Sequence, residues 1–203
     1  MLLDVILLLA FAVGPAIVLH ECAHGWVAYL LGDSTAKDQG RLTLNPIKHI
    51  DPVGSIIVPG ALFLLHSPFF FGWAKPVPVN FRNIKNYRWG LILVAAAGPL
   101  TNVILAYVYI WIYKIGIIPG SMSQTWQWAI VFNLVLCVFN LMPIPRLDGS
   151  RILMGVLPKQ LMYYYSRLEP FGMIIVVLLL QFGMLKFLYP MVSLLGNALG
   201  IEL

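Results

Sequence analysis

His20 and His24 stand four residues apart in the stretch HECAH, inside the apolar run AFAVGPAIVLHECAHGWVAYLLG. On a helix, positions i and i+4 lie about 40° apart around the axis and one turn apart along it. Both imidazoles then point the same way, and at that spacing they can bind one tetrahedral zinc. Glu21 is offset by about 100° from His20. It lies beside such a metal rather than on it, where it can take a proton from a water. Cys22, about 200° round the helix from His20, faces elsewhere and is read as packing. Ionisable groups in a spanning helix are costly and mark function. The bland alternative is a pair of histidines hydrogen-bonded within a helix bundle.

Two histidines leave a metal short of ligands, because a catalytic zinc usually has three protein ligands and one open position. The candidates for the third are His49, His66, Asp51, Asp148 and Glu169. Asp148, in FNLMPIPRLDGSR, is the best placed. HECAH lies near the inner end of its apolar block, with about 10 Å of helix left after it. Asp148 follows a later block on that same side. Pro143, Pro145 and Gly149 give it an irregular backbone, which membrane depth tolerates where it lines a polar cavity. Taken alone, Asp148 would pass for an ordinary Asp-Gly turn. His49, in KHIDP, is read as a partner that orients a ligand or a loop, and His66 as a hairpin-tip residue.

The elements that must position these residues follow from composition. Of 203 residues, 60% are hydrophobic and 10% charged, against roughly 25% charged in a soluble domain. The apolar residues fall in long blocks between short basic segments, the pattern of an all-α polytopic membrane protein. The net charge of +5 reads as loop charge beside a lipid bilayer. No Lys/Arg cluster is long enough to track a nucleic-acid backbone. Cys22 and Cys137 both lie in apolar runs and suggest no disulfide framework. No repeat, low-complexity tail or long linker divides the chain, so residues 1–203 are expected to form a single membrane-embedded domain. A cleaved signal peptide is not expected, since the first Lys or Arg is Lys37 and such a signal needs a basic start.

About four full transmembrane helices are expected, at Val5–Leu31, Trp89–Tyr113, Trp126–Met142 and Phe171 to about Leu195. Lys186 and Pro190 leave the last one kinked or shortened. Residues 53–73 carry no charge but are broken by Pro59-Gly60 and Pro68. Each half is too short to span, which favours a re-entrant, β-like hairpin over a fifth straight helix. Such a hairpin could offer a strand edge to an unwound substrate. Basic residues crowd segments 32–52, 74–88 and 143–169, while 114–125 holds only Lys114. The positive-inside rule then puts the N-terminus outside and HECAH toward the cytoplasmic side. Tyr163–Tyr165 read as an interfacial aromatic belt.

HECAH in the first span, AGPLTN at 97–102 and NLMPIPRLDG at 140–149 together resemble the site-2 protease family of intramembrane zinc metalloproteases. LNPIKHIDPVGSIIVP at 44–59 and GWAKPVPVN at 72–80 resemble that family's compact members, without PDZ or CBS domains. The resemblance implies one zinc per chain held by His20, His24 and Asp148, with Glu21 as catalytic base. It also implies that Asn102 and Asn140 lie near the site and position the substrate or an oxyanion. For Asn102, a plain helix–helix hydrogen bond is the competing reading. The family commonly has a proline before LDG where this chain has Arg146.

The expected reaction is hydrolysis of a peptide bond in or near the transmembrane segment of a single-pass membrane protein. A regulatory membrane partner or a homo-oligomer is left open. A metal transporter is the main rival. It needs a polar route to both sides, whereas the polar residues here gather at the inner side. An inactive relative of the protease and a closed structural zinc site are further alternatives.

Overall fold

The computed structural model describes residues 6–67, 71–183 and 185–201. Helices dominate, and there is no strand among the described residues. The elements are α1 (Ile6–Leu30), α2 (Thr35–Asp38), α3 (Pro52–Leu64), α4 (Tyr87–Lys114), α5 (Ser123–Leu141), α6 (Asp148–Val156), α7 (Lys159–Ser166), α8 (Gly172–Gln181) and α9 (Leu185–Ala198). Four helices are long and apolar enough to cross a membrane: Ile6–Leu30, Tyr87–Lys114, Gly120–Leu141 and Lys159–Gln181.

The first three match the expected blocks closely. The fourth does not. It begins at Lys159, runs through a 3-10 turn at Glu169–Phe171, and stops at Gln181. Gly183 takes φ +86, a left-handed conformation that ends a helix at little cost only for glycine. Pro190, expected to interrupt this block, instead sits inside α9.

Helix α4 is the centre of the bundle. It packs against α1, α5 and α6. In lipid the helices gain little from hydrophobic burial, and close packing of small residues replaces it. Ala12, Ala16, Ala106 and Ala129 are fully buried at these contacts. The main apolar cluster joins Ala12 of α1, Ala106 and Ile110 of α4, Ile130 and Leu134 of α5, and Leu188 and Val192 of α9.

Proline shapes α1. Pro15 has no N–H to give the Phe11 carbonyl, so the helix widens into a π turn over Leu9–Val13. The freed Phe11 oxygen accepts the Tyr109 hydroxyl at 2.6 Å. A carbonyl that lipid could not solvate is thereby satisfied from α4.

The 53–73 stretch is helical at its start rather than β-like. Asp51 caps α3 by accepting from Val53 and Gly54 N–H. Pro52 falls in its first turn, where proline is tolerated. Pro59, inside the helix, follows a π turn over Pro52–Ile57 that accommodates the missing N–H. A helix satisfies its own backbone, whereas an isolated hairpin would expose two strand edges to lipid. The chain still returns to where it left. Trp73 N–H donates to Gly54 O at 3.1 Å, and the Ser55 hydroxyl to Trp73 O at 2.9 Å. His66 lies in the turn after α3. The break expected at Pro68 falls outside the described residues.

After Trp73 an extended strap, residues 73–80, crosses the end of the bundle where α1 finishes. Lys75 N–H donates to His49 O at 2.9 Å, and the buried Arg41 guanidinium donates to Lys75 O and Pro76 O. Asp33, fully buried just past α1, holds the far end of the strap. Its carboxylate accepts from the Thr35 hydroxyl, Thr35 N–H, Asn80 N–H and the Asn83 amide. Arg88 donates to Leu157 O at 3.1 Å. These bonds gather the three basic segments 32–52, 74–88 and 143–169 at one end of the bundle.

Burial pushes the Asp33 carboxyl upward, but the hydrogen bonds from Thr35, Asn80 and Asn83 outweigh it and hold the group below its ordinary value. A depressed carboxyl stabilises the fold at pH above its unfolded value, and this is lost as pH falls through the folded one. Asp33→Ala is expected to cost about 1–3 kcal/mol, the usual penalty for orphaning buried hydrogen-bond partners. It should also flatten the acid limb of the stability curve. Thermal unfolding in detergent from neutral pH to pH 3 checks both.

Candidate metal centre

His20, Glu21 and His24 are carried by α1, and Asp148 is the first residue of α6. The chain brings Asp148 to the histidines through a tight, irregular turn. Leu147 N–H donates to Ile144 O, and the buried Ser150 hydroxyl to Leu147 O. Gly149 is required here, because a Cβ would collide with the carbonyls of Leu141 and Met142. Arg146 takes φ +74, a value that a proline ring forbids. The residue that departs from the family pattern therefore has a backbone that the commoner proline could not adopt.

The geometry converges on four atoms. His20 Nε2 and His24 Nε2 are 3.0 Å apart. Asp148 Oδ2 lies 3.2 Å from the first, and Oδ1 3.3 Å from the second. The opposite ring nitrogens are already engaged. His24 Nδ1 is 2.7 Å from Val94 O, a carbonyl that can only accept, so this nitrogen carries the proton. His20 Nδ1 is 2.6 Å from Asn102 Oδ1 and donates likewise. Each ring thus turns an Nε2 lone pair toward the carboxylate. Two lone pairs and two carboxylate oxygens face one another, and the buried Asp148 Oδ2 accepts no hydrogen bond.

Such a set of acceptors fits a cation. Four ligands about 2.0–2.1 Å from one zinc lie about 3.3 Å from each other, close to the spacings here. These three residues are the group that could hold a metal ion among the described residues.

Helix α4 forms the wall behind the site. A Cβ at Gly98 would come within 2.5 Å of His24 Nε2 and 2.6 Å of His20 Nε2. The small residue in AGPLTN is therefore what allows α4 to approach both rings. Asn102, fully buried, lies one turn further along. Its Nδ2 donates to Ala16 O at 3.1 Å and to Asn133 Oδ1 at 2.9 Å. Its polar atoms are spent on the protein, with Oδ1 on His20.

Glu21 is half-buried beside the ligands, and its Oε2 accepts the strap's Val77 N–H at 2.8 Å. Asn140, in the last turn of α5, donates Nδ2 to Leu136 O at 3.0 Å in its own helix. His49 is buried away from the three ligands, with Nε2 2.8 Å from Thr43 O. Cys22 donates to that same carbonyl at 3.1 Å. His66 is exposed in its turn, and Asp51 is spent on capping α3.

Sequence reasoning missed three contributors: Asn133, the Val94 carbonyl and Arg41. Asn133 had a usable signal, as a lone amide in the apolar run WAIVFNLVL. The other two are main-chain or loop contacts with no local signature.

The sequence profile of Peptidase family M50 matches residues 112–182, which include Asp148. A protein of Bacillus subtilis (strain 168) named "Putative zinc metalloprotease YwhC" is 41% identical over 79% of this chain and 74% of its own length. Relatives with the same descriptive name are Rip2 of Mycolicibacterium smegmatis, 29% identical over 81% of this chain, and MJ0611 of Methanocaldococcus jannaschii, 33% identical over 70%. The chain spans 63% and 66% of those two, slightly less than two thirds of each. No solved structure gives a significant match.

Gly98→Ala is expected to lower the zinc affinity of the purified protein about tenfold or more, the scale on which disturbed ligand orientation acts. Gly60→Ala, where the added Cβ meets nothing within 4 Å, should leave it unchanged. Metal competition against a chelator of known affinity measures both.

Proposed function

The chain belongs to peptidase family M50, the site-2 protease family of membrane zinc metalloproteases, and from that premise we propose that it hydrolyses a peptide bond in or near the transmembrane segment of a membrane-anchored protein. The observation that carries this reading is the cluster of acceptors formed by His20, His24 and Asp148 with Glu21 alongside, on a helix long enough to span. His20, His24 and Asp148 would hold one zinc. Bound there, zinc supplies a Lewis acid that polarises the scissile carbonyl and acidifies the attacking water.

Glu21 takes the proton of that water and delivers it to the leaving amine as the C–N bond breaks. The Val77 N–H holds the carboxylate beside the ligands rather than among them. Val94 O and Asn102 fix the rings, so the ligand set meets the substrate without reorganising. A helical substrate must first unwind locally to expose its carbonyl. The strand edge expected at 53–73 to receive it has no counterpart in the helix seen there. Asn140, near the Asp148 turn, is the side chain best placed to contact such a substrate.

The three basic segments at the site's end of the bundle support a site facing the cytoplasm, with the N-terminus outside. The substrate is a single-pass membrane protein, delivered alone or with a regulatory membrane partner. A transporter would need polar residues leading to the opposite face. Toward that end α4 and α5 close on the apolar cluster around Ile110 and Ile130, and the Tyr109 hydroxyl and Trp126 indole beside it are spent on protein carbonyls.

Glu21→Gln is expected to retain about one zinc per chain and to lose about 10²–10⁴-fold in turnover, the range for removing a general base. His24→Ala and Asp148→Ala should lose both metal and activity. Zinc analysis together with cleavage of a model transmembrane substrate in proteoliposomes checks the set. Normal turnover in Glu21→Gln would remove the assigned base, and zinc indifferent to Asp148 would remove the ligand set.

A further inference from the structure

Asn133 lies in the middle of α5, fully buried, with no direct contact to the metal ligands. Its Nδ2 donates to Ala129 O, one turn back, at 2.8 Å. Its Oδ1 accepts from Asn102 Nδ2 at 2.9 Å. Asn102 Oδ1 in turn receives His20 Nδ1–H at 2.6 Å.

Each amide has one accepting end and one donating end, so the direction of this chain is set at its origin. A main-chain carbonyl can only accept. Ala129 O therefore demands the NH₂ end of Asn133. That leaves Asn133 Oδ1 to face Asn102 and demands the NH₂ end of Asn102. Asn102 Oδ1 must then face His20. The imidazole answers with Nδ1–H, and its Nε2 is left as a bare lone pair. Ala16 O, accepting the second hydrogen of Asn102 at 3.1 Å, biases the same orientation. Reversing Asn102 would put its NH₂ against His20 Nδ1, move the ring proton to Nε2 and block that atom as a ligand.

Water could rescue a reversed amide in a soluble protein. Among buried residues of spanning helices no such donor or acceptor is at hand, and a mismatched amide pair stays mismatched. From this geometry we infer that Asn133 is a positioning residue that selects the metal-binding tautomer of His20 through Asn102. The role rests on the metal reading of the site but extends it to a residue on a fourth helix, α5. It explains why a lone amide is kept inside an apolar face of α5.

The test uses the full-length protein with histidine labelled by nitrogen-15. In the metal-free form, the His20 ring shifts should report an Nδ1–H tautomer in wild type and a mixture in Asn133→Leu. Zinc affinity, by chelator competition, should fall about tenfold in Asn133→Leu, as for other groups that orient a metal ligand. The Asn102→Ala background should show little further loss from Asn133→Leu, because the relay is already cut. Asn133→Asp has the same shape, and its neutral carboxyl can donate to Ala129 O and accept from Asn102. It should recover affinity to within about threefold of wild type, and it carries the test should the leucine variant fail to fold. An unchanged tautomer with unchanged zinc affinity in both variants overturns the inference. Equal losses with and without Asn102 overturn it as well, since they would mean general destabilisation. A tautomer shift in a protein with no proteolytic activity would keep the relay and remove only the protease reading.

Discussion

Two imidazole nitrogens and one carboxylate meet at 3.0–3.3 Å in the interior of a helix bundle. With both rings neutral and protonated on Nδ1, the facing lone pairs repel, and burial makes the repulsion strong. The arrangement is tolerable only if a proton or a metal ion joins them and if everything around them is fixed. Much of the structure near the site meets that demand. Val94 O and Asn102 Oδ1 take the two Nδ1 protons, so neither ring can turn over to ease the crowding. Gly98 brings α4 up against the rings, and Gly149 brings the Asp148 turn down onto the end of α5. A larger residue at either glycine would move a ligand rather than merely loosen the packing.

The same shortage of water governs regions away from the site. Pro15 widens α1 and frees the Phe11 carbonyl, and Tyr109 from α4 satisfies it. Trp126 of α5 donates its indole N–H to Tyr109 O at 2.9 Å. A soluble protein could leave such groups to solvent. Here the distortion of α1 is matched by a polar side chain on α4, so the defect fixes the register of the two helices. The metal site depends on that register, because its ligands come from two helices and its supporting bonds from two others.

What the sequence shows clearly is what local chemistry determines. The i, i+4 spacing of His20 and His24, the unmet need for a carboxylate and the run lengths of three spans all follow from residue type and periodicity. Helix ends set by backbone conformation are harder to read. Lys186 and Pro190 looked like the interruption of the last block, yet Gly183 makes the break, because a left-handed turn is decided by φ and not by polarity. The 53–73 segment misled for a related reason. Pro59-Gly60 signals a break, but here a π turn over Pro52–Ile57 absorbs the proline and the helix runs on to Leu64. Asp33 carries no local signal of its role, since its partners Asn80 and Asn83 are about fifty residues away.

The proposed base and the candidate ligands are held by different parts of the chain. His20 and His24 are fixed by the spans, through Val94 and Asn102 on α4. Glu21, on the same turn of α1, is fixed by Val77 N–H in the strap. The strap is anchored by His49 O, Arg41 and Asp33, none of which belongs to a spanning helix. Prolines at 76 and 78 leave it without N–H groups at those two positions. They limit its ability to pair with a further strand and hold it extended. A disturbance in the loops at this end therefore reaches Glu21, the proposed base, through one main-chain hydrogen bond. The same disturbance reaches the ligand set only by way of α1 itself, where the buried amides and the Val94 carbonyl oppose it. In such an arrangement proton transfer and metal retention respond to different parts of the sequence, although Glu21 and His20 are neighbours in it.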